Sequence, residues 1–216
     1  MKPIYVGLYE ESGIQAQAFA DLGYECHCFD IDQSEIGDKV VHSEIFYHEV
    51  DLLSDAIFDI VSRADFVAGF PPCTDLAVSG TAHWAKKKAI NPNFQEDALV
   101  LVKRVQEIAD AYDCPFYIEN PKGVITRLWK KWDFRFHPYE FSAYCDSDDE
   151  QDCYTKETFL WTGNGFIMPE VRVCSSCITP NKGSIRDINA KGDIRRRLRS
   201  KTPRGFSQAV AVENMK

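Results

Sequence analysis

Phe66-Val67-Ala68-Gly69-Phe70-Pro71-Pro72-Cys73 is a short apolar run that passes directly into a rigid turn. Apolar and small residues bounded by turn residues read as a strand, Phe66 to Gly69, buried on both faces. The diproline has no backbone donor with which to extend a ladder, so the chain must leave the sheet there. Cys73 is thereby held at a strand end, in a crevice rather than in the core, which is where a nucleophilic thiolate must sit.

Working outward from this strand, the same alternation repeats. Ile4 to Leu8 reads as a first strand, and Ile14, Ala18, Phe19 and Leu22 after Ser12-Gly13 have helical spacing that Gly23 stops. Tyr24 to Ile31 is a second strand and Phe46 to Val50 a third. Ser54 is placed to cap a helix carrying Ile57, Ile60 and Val61. On the other side, Thr74 to Asn93 reads as a polar loop. Ala98, Leu99, Val102, Val105, Ile108 and Ala109 then mark the longest helix, and Phe116 to Glu119 a fifth strand ended by Asn120-Pro121. Strands alternating with helices imply an α/β fold: a parallel sheet covered on both faces, with ligands gathered at the carboxyl ends of its strands.

Beyond Lys131 the periodicity gives way to short aromatic pieces between turn residues, which predicts a small irregular insertion floored by Trp129, Trp132, Phe134 and Phe136. Phe206 to Met215 is amphipathic and predicts a helix packed on the first part of the sheet. The expected organisation is a core over 1–131, an insertion with a basic segment over 132–204, and a returning helix over 205–216. A chain of 216 residues, 44% of them apolar, suffices for one such domain with a small appendage. Neither a signal peptide nor an apolar run of about 18 residues is present, so the expectation is a soluble cytoplasmic protein with no membrane partner. Nothing in the sequence speaks to oligomeric state.

The net charge of −8 argues at first against nucleic acid, but the charge is uneven. Between Asn181 and Arg204 nine basic residues stand against two acids, so this segment carries +7 and the remainder −15. A basic patch on an acidic body is the electrostatic footprint of a phosphate-binding surface, although a solvated basic face reads the same way.

Eight cysteines in a chain of this size predict reduced thiols rather than a disulfide framework. Cys145, Cys153, Cys174 and Cys177 gather in the polar, loop-rich stretch with the spacing C-x7-C-x20-C-x2-C. Four thiolates satisfy a tetrahedral zinc ion, and a core-poor insertion gains most from such a staple. Thiols without a metal fit the same spacing, and a redox pair is a third reading.

Two strand ends carry candidate chemistry. Cys73 follows the fourth strand, and Tyr117-Ile118-Glu119-Asn120-Pro121 places a carboxyl group and a carboxamide at the end of the fifth. Addition of a thiolate to C6 of a cytosine drives electrons toward N3, where a hydrogen-bonded carboxyl group relieves the developing charge. The order of these motifs resembles the cytosine-C5 DNA methyltransferase family, particularly its compact phage- and prophage-type members. Pro71-Pro72-Cys73-Thr74 with Ser79-Gly80, Lys156-Glu157-Thr158 with Trp161, and Arg199-Ser200-Lys201-Thr202 leading into Gly205-Phe206 extend the resemblance over nearly the whole chain.

The resemblance implies a Rossmann-like methyltransferase sheet that binds S-adenosylmethionine. It implies a catalytic group of Pro72, Cys73, Glu119 and Asn120, with the cofactor held by Tyr9, Glu11, Ser12, Gly13, Asp30, Ile31, Asp51 and Gly69. Asp30 would take the ribose hydroxyls, Asp51 would meet the adenine, and Ile31 would lie against its face. Arg195, Arg196, Arg197 and Lys201 would contact DNA. Glu11 departs from the family pattern, standing where its first loop glycine belongs, and can either crowd the methionine end of the cofactor or accept its ammonium. No Gln-x-Arg-x-Arg segment is found. Methylation of DNA cytosine is the leading expectation; methylation of RNA or of a free pyrimidine nucleotide, and a noncatalytic nucleic-acid-binding descendant, are the alternatives.

Overall fold

The protein, seen in a computed structural model, is described over residues 1–33, 39–145, 152–177 and 202–215. In chain order the elements are β1 (Ile4–Leu8), α1 (Ile14–Ala20), β2 (Glu25–Asp30), β3 (Ile45–Glu49), α2 (Ala56–Ile60) and β4 (Phe66–Gly69). They continue with α3 (Thr81–Ile90), α4 (Phe94–Tyr112), β5 (Phe116–Pro121), α5 (Ile125–Leu128), β6 (Phe134–Phe136), β7 (Thr158–Gly163) and α6 (Arg204–Glu213). Short 3-10 turns at Val78–Gly80, Pro138–Tyr144 and Ser175–Cys177 lie between them.

The seven strands form one sheet in the order β3-β2-β1-β4-β5-β7-β6. Strands β1 to β5 run parallel, and β7 runs antiparallel between β5 and β6. This is the Rossmann-like α/β sheet that the sequence leads one to expect.

Side chains alternate across the central strands, and both faces are buried, which is why these strands read as continuous apolar runs. Val6, Leu8, Val67, Phe116 and Ile118 pack under α4 together with Leu99, Val102, Val105 and Ile108. Tyr5, Phe66, Ala68 and Tyr117 face the opposite way, onto Phe19 of α1 and Phe206 and Val210 of α6. Helix α4 comes so close to β4 that a Cβ on Gly69 would lie 2.5 Å from Val105 Cγ1, so a glycine is needed there for packing.

Three stretches differ from the sequence reading. The polar loop over Thr74 to Asn93 contains α3, none of whose residues is buried. With no apolar stripe to detect, its helicity rests on good helix formers such as Ala82, Ala85 and Lys86 to Lys88. Two of the aromatic pieces beyond Lys131 are strands: β6 and β7 complete the sheet, and Phe136 on β6 stacks on Phe206 with ring centroids 4.0 Å apart. Helix α4 begins at Phe94, ahead of the first periodic position read from the sequence, because Phe94 and Gln95 are themselves buried. The terminal helix lies on the α1 side of the sheet as expected, tied there by Gln15 Nε2 donating to Ser207 O at 3.2 Å.

Candidate active site

The pairing of Gly69 with Ile118 brings β4 and β5 to the same edge of the sheet, so the residues that follow them emerge side by side. Asn120 is fully buried, and its Nδ2 donates to Pro71 O at 3.0 Å, tying the diproline turn to the end of β5. Beyond the turn, Leu76 N and Ala77 N donate to Cys73 O at 3.1 and 2.8 Å. Val78 N donates to Lys122 O and Val124 N to Leu76 O, both at 2.9 Å, which stitches this loop to the one after β5. The half-buried Cys73 is therefore clamped on both sides, with Pro71 buried and Pro72 exposed beside it.

Glu119 lies between this turn and β7, opposite Leu160. Its carboxylate faces Lys156, with Nζ 3.8 Å from Oε1 and only 12% and 18% of the two side chains exposed. Glu119 Oε1 and Asn120 Oδ1 are buried without a hydrogen-bond partner. Buried polar atoms in native proteins are almost always satisfied, so two such oxygens at the end of β5 mark a place where a polar ligand edge belongs. Lys156 is a site residue that motif order alone does not reveal; only the antiparallel return of β7 carries it to Glu119.

The proposed cofactor residues cluster at the neighbouring strand ends. Tyr9 has φ 58°, and its buried Oη lacks a hydrogen-bond partner. Burial pushes this phenol up, with Arg104 opposing and Asp30 and Asp51 adding to the shift. The Asp30 carboxyl is raised by its burial, and Oδ1 accepts from Asp32 N at 3.2 Å. Ile31 is 67% exposed beside it, and Asp51, also exposed, accepts from Leu53 N at 2.9 Å. Ser12 Oγ accepts from Ile14 N at 3.4 Å as α1 begins. Gly13 has φ 72°, and Tyr47 Oη occupies the space a Cβ would need. An orphaned phenol, two carboxylates and an exposed aliphatic side chain suit an adenosine with its ribose diol, so these residues fit S-adenosylmethionine. Gly69 is buried against α4, in the floor of this edge.

Glu11 is exposed on the outside of the β1–α1 loop. The acid that turns inward is its neighbour Glu10, 3% exposed. Glu10 Oε1 accepts from Gln15 N at 3.0 Å and Ala16 N at 3.1 Å, and Oε2 accepts from Tyr5 Oη at 2.7 Å. It thus satisfies the first donors of α1, where a negative charge also meets the positive end of the helix dipole. Gly7 has no side chain because Glu10 Oε2 fills that space.

Burial still raises the Glu10 carboxyl above its ordinary value of 4.5, against the hydrogen bonds from Tyr5, Ala16 and Gln15. A carboxyl whose folded pKa is raised contributes stability that is full below the unfolded value and declines as pH rises through the folded one. The unfolding free energy of the wild type relative to Glu10→Gln is therefore expected to fall as pH goes from 5 to 8. Urea titrations of both proteins across that range check it, and a pH-independent difference contradicts it.

The sulfur atoms of Cys153, Cys174 and Cys177 converge within 4.8 Å, and Cys153 and Cys177 stand at disulfide-bonding distance. Folding brings Cys153 and Cys177 together from positions 24 residues apart. Cys145 is half-buried nearby and is not part of the tight group. Arg195, Arg196, Arg197 and Lys201 lie outside the described residues. Among the described residues no helix is long and apolar enough to cross a membrane.

No protein-family model matches the chain, and no curated protein matches it. Among solved structures it is similar to one described as a proposed type II methyltransferase from Anaeromyxobacter dehalogenans, at 11% identity and a TM-score of 0.33. That match covers 66% of this chain and 46% of the other, so the chain spans less than half the length of that structure. A likeness this distant carries no weight for activity, and the assignment of fold rests on the strand order itself.

Proposed function

We propose that this protein transfers a methyl group from S-adenosylmethionine to C5 of cytosine in DNA. The observation that carries this reading is the clamp between the two strand ends. Asn120 holds the turn that bears Cys73, and Glu119, the residue before it on β5, has a buried Oε1 without a hydrogen-bond partner. A nucleophilic thiol and a hydrogen-bonding carboxyl group at adjoining strand ends suit attack on one face of a pyrimidine while the ring edge is held.

In this reading the target nucleotide leaves the base stack, since a duplex hides C6 from any side chain. The Cys73 thiolate bonds to C6, and the electron pair of the C5–C6 double bond becomes available at C5. Glu119 hydrogen-bonds the N3 edge, where negative charge develops. When bound, S-adenosylmethionine would supply the methyl group to C5, its S–CH3 bond breaking and the sulfonium leaving as the neutral thioether. Loss of the C5 proton to a base then re-forms the double bond and expels the Cys73 thiolate. Tyr9, Asp30, Ile31 and Asp51 hold the adenosine, and the basic residues between 181 and 204 meet the phosphate backbone.

Duplex DNA, RNA and free cytosine nucleotides, each offered with S-adenosylmethionine carrying a labelled methyl group, test the proposal. Label is expected in DNA, recovered as 5-methylcytosine after digestion. Label in RNA or nucleotides alone replaces the substrate and keeps the chemistry. Binding of nucleic acid without transfer to any of the three overturns the catalytic reading.

A further inference from the structure

We propose that Cys145, Cys153, Cys174 and Cys177 form a structural zinc centre that clamps the segment carrying Lys156. Three of these sulfurs already meet within 4.8 Å of one another. Thiolates on a tetrahedral zinc, at Zn–S about 2.3 Å, are about 3.8 Å apart, so three sulfurs gathered this closely are within reach of one shared ion. A disulfide between Cys153 and Cys177 uses two of the three sulfurs, whereas a metal engages all three.

A structural zinc site is closed by a fourth protein ligand, and the chain supplies Cys145. Cys174 N donates to Ser142 Oγ at 3.1 Å, and Ala143 N donates to Arg172 O at 3.0 Å, so the strip leading into Cys174 runs along the turn that ends at Cys145. The Cys145 sulfur lies 3.2 Å from where a Cβ on Gly205 would sit, and Gly205 N donates to Asp152 Oδ2 at 3.0 Å, next in sequence to Cys153. Cys145 therefore stands on the side of the cluster where Cys153 enters.

What such a centre holds together follows from the connections. It joins the 3-10 turn Pro138–Tyr144, the approach to β7 and the Ser175–Cys177 turn, and it backs onto the start of α6 at Gly205. These are irregular segments without a sheet or helix ladder to fix them, and a metal supplies cross-links between them. Lys156 follows Cys153 three residues on and faces Glu119. The centre is thus a positioning device for the site, and its existence does not depend on which reaction the site performs.

The test uses the full chain, expressed in zinc-supplied medium and purified with reductant and without chelators. Elemental analysis is expected to find about one zinc per chain, falling to under about a tenth in Cys174→Ser. Because that variant can fail to fold, the wild-type protein is also exchanged with cobalt(II), whose thiolate charge-transfer intensity counts sulfur ligands and whose visible bands report tetrahedral geometry. A tetrahedral four-thiolate spectrum, with a lower melting temperature once the metal is removed, supports the centre. Metal-free protein bearing a Cys153–Cys177 disulfide in a non-reducing peptide map overturns it. Cobalt held by fewer than four thiolates overturns the assignment of Cys145.

Discussion

Cys73→Ser is expected to reduce methyl transfer by at least about a thousandfold, because a hydroxyl is almost entirely protonated at neutral pH and is a far poorer nucleophile than a thiolate. The turn that carries the residue is held by main-chain bonds from Leu76 and Ala77 and by Asn120, none of which involves the sulfur, so the melting temperature is expected to be nearly unchanged. DNA containing 5-fluorocytosine gives a second, independent readout. Fluorine at C5 cannot depart as a cation, so an adduct that has been methylated cannot eliminate, and the wild-type chain is expected to remain covalently attached through Cys73. Mass spectrometry of the trapped peptide locates the bond. A serine variant that retains full turnover, or a trap that maps elsewhere, removes Cys73 from the reaction.

Glu119→Gln is expected to slow turnover by about 10²- to 10⁴-fold, the span commonly contributed by a positioned acid or base. At about 1.36 kcal/mol per factor of ten, that corresponds to roughly 3 to 5 kcal/mol of transition-state stabilisation. The amide can still present a donor or an acceptor to the ring edge, but it cannot exchange a proton with N3 as charge develops there. Adduct formation on the fluorinated substrate is expected to slow in parallel with turnover, since the effect falls on the addition step. The same change leaves Lys156 facing a neutral partner, and breaking a largely buried pair destabilises the fold. Measuring the melting temperature separates this loss from the catalytic one. A variant that melts early yet forms the adduct at the wild-type rate would assign Glu119 a purely structural role.

Much of the frame was legible because buried parallel strands leave an unmistakable pattern. Ile4–Leu8 and Phe66–Gly69 fall where their apolar runs begin and end, since both faces of each strand are covered. Helix α3 was not legible, because it buries nothing and so has no periodicity. Strands β6 and β7 were obscured for a different reason: their partners lie far off in sequence, and Phe134–Phe136 is too short for alternation to register. Glu10 was hidden beside Glu11, two identical acids whose difference arises only when one side chain turns under Tyr5 and the N-terminus of α1.

By itself the sequence determined the alternating strands and helices, the exit of the chain from the sheet at Pro71-Pro72, and the arrival of Cys73 and Glu119 at successive strand ends. These are local consequences of hydrophobic period and of proline lacking a donor, and neither depends on distant residues. Tertiary structure alone decided the couplings. It set Lys156 against Glu119, Asn120 against Pro71, and Cys153 beside Cys174 and Cys177. These contacts join chain segments that propensity treats as unrelated: the antiparallel return of β7 carries Lys156 to Glu119, and the parallel pairing of β4 with β5 brings Asn120 to the diproline turn, pairings set by burial of the whole sheet rather than by any stretch of it.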